Sequence, residues 1–192
     1  MREFYRTLSD EKVALEPLTT DHIESLKEVC GDEEIWRWFT VSLSDPSDMA
    51  VWMNQLLTDS EQGKKMTFAV RLLETGNIIG ASSYGNIEWK EKNIEIGWTW
   101  IGNDYIGSGI NKHMKFQMLS HAFDNMEMER LELRTDELNV RSRRAMEKIG
   151  AKHDATLRSH RYTKGGRRRN SVVYSILREE WPEVKAGIFK DF

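Results

Sequence analysis

The residues best able to do chemistry lie in one run, Trp98-Thr99-Trp100-Ile101-Gly102-Asn103-Asp104-Tyr105-Ile106-Gly107-Ser108-Gly109-Ile110-Asn111. A strand-like segment passes there through spaced glycines into a helix-like one. Unpaired amides at a helix start make a site for a phosphate or diphosphate. Gly107 and Gly109 allow backbone conformations that gather such amides. Two familiar phosphate loops are excluded. Gly102 and Gly107 have the spacing of a Walker A loop, but Ser108 stands where its lysine must be. A dinucleotide fingerprint needs a third glycine where this chain has Lys112. Two glycines before a helix equally describe an ordinary strand-to-helix turn.

The elements that would position this loop follow from periodicity and punctuation. Val13 to Leu18 reads as a short strand ended near Pro17. Thr19 or Thr20 caps a helix through His22, Ile23, Leu26 and Val29, with Gly31 as its stop. Ser44-Asp45-Pro46 opens a second helix with an apolar stripe of Met49, Val51, Trp52, Met53, Leu56 and Leu57. Thr67–Leu73 and Ile78–Tyr84 flank the turn Glu74-Thr75-Gly76-Asn77, an antiparallel hairpin. Asn93–Ile101 is the next strand, its alternation broken at Gly97, which suggests a bulge. A helix after Gly109 reaches about Met126 and is apolar on more than one face, hence packed on the sheet. Arg130–Thr135 is a strand, and Asn139–Ile149 is a helix closed by Gly150. Two last strands, around Ala155–Tyr162 and Ser171–Leu177, flank a basic turn.

Composition is that of a globular chain of 192 residues, 39% hydrophobic and 31% charged. The net charge of −3 gives no general attraction to nucleic acid or anionic membrane. A single cysteine, Cys30, excludes an internal disulfide and suits a reducing, cytoplasmic setting. The first residues are too charged for a secretory leader, and no stretch has the roughly 20 apolar residues of a membrane helix. His113, His121 and His153 lack ligand spacing, so no metal is expected. Arg158, His160, Arg161, Lys164, Arg167, Arg168 and Arg169 crowd the last hairpin. They suit an acidic substrate, RNA, a cofactor phosphate or simply solvent.

The run EIGWTWIGNDYIGSGINK, the later LELRTDELNVRSRRAMEKIGA and the ending HRYTKGGRRRNSVVYSILREEWPEVK together resemble the GNAT superfamily of N-acetyltransferases. The branch is that of the RimJ/RimL-like ribosomal-protein N-terminal acetylases. The resemblance implies one α/β (α+β) domain over the whole chain. Its GNAT fold is a mixed, mostly antiparallel sheet of about seven strands splayed in a V, with helices on both faces. It implies acetyl-CoA as cosubstrate, its pantetheine arm paired with Trp98, Thr99 and Trp100. The diphosphate would lie on Ile106, Gly107, Ser108, Gly109, Ile110 and Asn111. That stretch matches the family pattern at Gly109 but departs from it at Ile106, where the family has a polar residue, and at Asn111, where it has a small one. Asn139 would hold the pantetheine amide, Ser142 would lie near the sulfur, and Arg144 would meet a cofactor phosphate. Asn139 also reads as a helix cap, and Arg143 and Arg144 as a solvated face.

The implied reaction is direct attack of a neutral amine on the thioester. An α-amine with pKa near 8 is roughly 10% neutral at pH 7, whereas a lysine is neutral well below 0.1% of the time. Glu95 is the expected base, with Glu88, Asp136 and Glu137 as competitors. Many members place a proton-donating Tyr where this chain has Met146, which cannot donate, so Ser142 or a water would serve. The acceptor is expected to be a protein N-terminal α-amine, or else a small amine or amino-sugar. A non-catalytic acyl-CoA sensor is the alternative from another class, and a homodimer is compatible with the branch.

Overall fold

The computed structural model describes residues 2–192. Eight strands are β1 Leu8–Ser9, β2 Val13–Pro17, β3 Met66–Leu72, β4 Ile78–Glu88, β5 Asn93–Ile101, β6 Arg130–Asp136, β7 Lys152–Tyr162 and β8 Arg168–Leu177. They form one sheet in the order β1-β2-β3-β4-β5-β6-β8-β7. Every neighbouring pair is antiparallel except β5 with β6. Six α-helices accompany it among the described residues: α1 Ile23–Cys30, α2 Glu33–Trp36, α3 Pro46–Glu61, α4 Ile110–Ser120, α5 Val140–Lys148 and α6 Trp181–Ile188.

Strand alternation divides the apolar side chains between two layers. Phe68 and Val70 of β3 join Ile94, Ile96, Leu131 and Tyr174 against Met114, Met118 and Leu119 of α4. Between them, Ala69 faces the other way. With Ala81 and Trp100 it packs on Leu26, Trp36, Met49, Met53 and Leu56 of α1, α2 and α3. Helices therefore cover both faces, as the GNAT resemblance implies.

Several boundaries differ from the sequence expectation. The sheet has eight strands rather than about seven because Leu8–Ser9 pairs with Ala14 and Leu15, too short a run to show a period. α4 ends at Ser120 and continues as a wider turn, His121–Asn125, rather than running to Met126 as one α-helix. α6 has no counterpart in that expectation. It is held by tertiary burial, with Trp181 stacked on Phe123 at 5.5 Å and Phe189 against Phe116 at 5.2 Å.

One feature of the sheet positions everything else. β5 and β6 pair only at Asn93↔Arg130, Ile94↔Leu131 and Glu95↔Glu132. Beyond Glu95, β5 pairs with β4 alone, and β6 beyond Glu132 with β8 alone. The two strands part there and leave a wedge between them.

Candidate active site

A β-bulge sits on the β5 wall of this wedge. Ala81 opposes Trp100 and Ser83 opposes Gly97, so Trp98 and Thr99 together face the single residue Ser82. The bulge lies one step beyond the Gly97 that signalled it. Trp98 adopts φ +51°, the left-handed region, which costs a bulky residue ~1–2 kcal/mol. Packing holds it there. A Cβ on Gly85 would lie 2.5 Å from the Trp98 ring, so only glycine admits the indole, and Lys65 Nζ caps the ring at 3.8 Å from its centroid. From Ile96 to Ile101, one edge of β5 has no strand partner among the described residues.

Under the bulge, Thr99 Oγ1 lies 2.7 Å from Ser82 Oγ and accepts from Lys115 Nζ at 3.0 Å. Lys115 is buried on α4 and has no carboxylate within ion-pair distance among the described residues. Burial alone pulls its pKa down to about 7. Sequence reading missed this residue; a lysine within an amphipathic helix carries no sign that it points inward.

The loop after β5 ends the wedge. A 3-10 turn, Asn103–Tyr105, leads to Gly107 at φ +82° and Gly109 at φ +88°, the latter capping α4. A Cβ at either glycine would meet nothing within 4 Å, so it is the backbone angle that requires glycine. Gly107, Ser108 and Gly109 are exposed. Ser108 Oγ donates to the Tyr105 carbonyl at 2.6 Å and is 3.4 Å from the Ile110 amide. The amides of Gly107, Gly109 and Asn111 have no backbone acceptor among the described residues. This is a cradle for an anion at the start of an eleven-residue helix. The exposed Ile106 side chain adds no polar group to it.

Across the wedge, β6 runs into α5. Asn139 Oδ1 accepts the Ser142 amide at 3.1 Å, an N-cap, while its Nδ2 has no partner among the described residues. Capping and ligand contact are therefore compatible. Ser142 is half-buried, its hydroxyl without a partner among the described residues, and Met146 is buried. Arg143 is committed inward, donating to Tyr174 Oη at 3.2 Å and to the Glu137 carbonyl at 3.3 Å. Arg144 is exposed.

Glu95 stands at the fork, on the sheet face opposite α4, and is 8% exposed. Asn86 Nδ2 donates to its carboxylate at 2.8 Å, and Arg134 Nε lies at 3.4 Å. Burial lifts its pKa above the ordinary carboxyl value, more than Arg134 and Asn86 lower it. The other carboxylates are less apt as a base. Asp136 is fully buried, ion-paired to Arg167 and hydrogen-bonded by the Leu138 amide. Glu137 accepts from Asn170 at 2.8 Å, and Glu88 is exposed at the far end of β4.

The basic hairpin is mostly internal structure. Lys164 pairs with Glu33 at 2.7 Å, Arg167 with Asp136, and Arg168 lies over the Tyr162 ring. Lys164 also donates its amide to the Phe39 carbonyl at 3.1 Å, tying the hairpin tip to the segment after α2. Among the described residues no cluster of three or more His, Cys, Asp or Glu side chains could hold a metal, and no helix is long and apolar enough to cross a membrane.

Comparison with known proteins agrees with this geometry. The family model "Acetyltransferase (GNAT) domain" matches residues 12–152. The chain is 24% identical over 173 residues to YdaF of Bacillus subtilis (strain 168), provisionally named a ribosomal N-acetyltransferase; the match covers 89% of this chain and 92% of that one. An acetyltransferase structure from T. thermophilus superposes with a TM-score of 0.84 at 29% identity, over 97% of both chains. The fold also matches Mycobacterium smegmatis RimJ in complex with CoA-disulfide, with a TM-score of 0.79 at 19% identity over 88% and 84% of the two chains.

Proposed function

The chain belongs to the GNAT acetyltransferase family, in its RimJ/RimL-like branch, and is an N-acetyltransferase; from that premise we propose that it acetylates the α-amine of a peptide or protein N-terminus, using acetyl-CoA. The observation that carries this reading is the buried, polarised Glu95 at the fork where β5 and β6 part. The free amides of Gly107, Gly109 and Asn111 suit the diphosphate, and the unpaired edge of β5 around Trp98, Thr99 and Trp100 suits the pantetheine arm. Asn139 Nδ2 is free to meet an amide of that arm from the α5 side, and Arg144 can approach a phosphate.

Acetyl-CoA would supply an activated carbonyl on a thioester. Glu95, directly or through one water, takes the proton of the attacking amine; its raised pKa makes it a better base than an exposed carboxylate. The Trp98 or Thr99 amide donates to the carbonyl oxygen as negative charge builds there. The Ser142 hydroxyl or a water delivers a proton to the sulfur, a modest demand because a thiolate leaves readily. An α-amine suits a site with a single weak base, since an appreciable fraction is already neutral near pH 7. The provisional name of YdaF points to the same acceptor class.

A panel of N-terminal peptides, lysine side-chain analogues, polyamines and amino-sugars, read by free thiol release and mass spectrometry, tests this. Acetyl-CoA turnover limited to α-amines supports it. Turnover limited to small amines rejects the peptide acceptor. Tight CoA binding with no acceptor-dependent thiol release points instead to a sensor.

A further inference from the structure

Sheet register places a second set of groups beside Glu95. Residues directly paired across strands, and those two apart along one, point to the same face. Glu95↔Glu132, Arg134↔Val173, Asp136↔Ser171 and Arg161↔Arg169 therefore set Glu95, Glu132, Arg134, Asp136, Arg169 and Arg161 on one face, opposite α4. Two of these cations differ from the rest. Arg134 is paired with Glu132 at 2.7 Å, and Arg167 is paired with Asp136. Arg169 is half-buried; it donates to the Trp38 carbonyl at 3.1 Å and to Ser171 Oγ at 3.0 Å, and no carboxylate is within ion-pair distance among the described residues. Arg161 likewise has no carboxylate partner among them. Both guanidiniums act electrostatically on the Glu95 carboxylate. His160 Nδ1, also within their field, is buried without a hydrogen-bond partner among the described residues. Around Glu95, then, Lys65, Arg134, Arg161, Arg167 and Arg169 face only Glu95, Glu132 and Asp136, in a chain of net charge −3.

Resting on the acetyltransferase reading above, we propose that the preferred acceptor carries a carboxylate one or two residues from its reacting amine, received by Arg169 and Arg161 while Glu95 meets the amine. A buried guanidinium without an anion lacks its best partner, and its planar donor fork matches a carboxylate. Both arginines bear on Glu95, so an anion they hold lies about one or two residues, roughly 3.5–7 Å, along an extended peptide. The surplus positive charge also disfavours acceptors that bring only cations, such as polyamines.

The test compares kcat/KM for peptides identical except for Glu, Gln or Lys at their second and third positions, with spermidine alongside, in the parent enzyme and in Arg169→Gln and Arg161→Gln. Arg161 is exposed on an edge strand, so its variant keeps the test available if Arg169→Gln fails to fold. The Glu peptide should exceed the Gln peptide by about tenfold, with Lys lower still. That ratio should fall toward unity in each folded variant and shrink as salt rises. Equal turnover of the Glu and Gln peptides, or a preference that survives both substitutions, overturns the assignment while leaving acetyl transfer intact. Absence of product with every peptide overturns the peptide-acceptor reading itself, and this one with it.

Discussion

Replacing Glu95 by glutamine keeps the shape of the side chain and removes its charge, so chemistry and stability should move in opposite directions. Asn86 Nδ2, at 2.8 Å, can still donate to the remaining oxygen, and Arg134 keeps Glu132 at 2.7 Å. Loss of a general base lowers kcat by about 100- to 10,000-fold. Acetyl-CoA affinity should hold, because the proposed diphosphate and pantetheine contacts lie on other residues. Stability follows from the direction of the pKa shift. Burial raises the Glu95 pKa in the folded state, so ionising it weakens the fold. That penalty is absent below the ordinary carboxyl pKa and complete above the raised one. At neutral pH the variant escapes it, gaining about 2–4 °C in Tm for each kcal/mol recovered. Steady-state kinetics, calorimetric titration of CoA and thermal melts on one preparation read all three quantities. A kcat within threefold of the parent removes Glu95 from the mechanism, and a lowered Tm refutes the burial argument.

Other substitutions separate roles that coincide in one residue. Gly109→Ala places a Cβ at φ +88° with open space around it, so strain of ~1–2 kcal/mol should weaken CoA binding about 5- to 30-fold by calorimetry. Asn139→Asp keeps an acceptor for the Ser142 amide but loses the amide donor. It should melt near the parent yet bind CoA more weakly, whereas Asn139→Ala should also lose ~1 kcal/mol of stability in urea titration. Lys115 has a folded pKa of about 7 against an ordinary 10.5, so the fold gains stability as pH rises between those values. Lys115→Met should abolish that gain and be more stable than the parent at pH 6.5, as urea titrations at pH 6.5 and 9.5 would read.

Much of this site was legible because its signals are local. Gly107 and Gly109 before an apolar helix, Asn139 and Gly150 at the two ends of another, and the break at Gly97 all mark backbone geometry that few residues accept. The bulge itself fell at Trp98, since an indole in the left-handed region depends on the empty space at Gly85, a residue of another strand. Glu95 read equally as an outward residue of an alternating strand until Arg134 and Asn86 were placed beside it. Lys115 and the unpaired Arg169 were hidden for the same reason: whether a cation has a partner depends on register across strands, which no single segment encodes. α6 likewise owes its place to Trp181 and Phe189 packing against α4 and the wider turn that follows it.

Amide hydrogen exchange with and without acetyl-CoA bears most directly on the parted strands and the glycine loop. Ligand should slow exchange at Gly107, Gly109 and Asn111 and along the open edge of β5 near Trp98–Trp100, leaving β7 unchanged. Saturation with acetyl-CoA that leaves those amides exchanging as before would contradict the cofactor placement on which the chemistry depends.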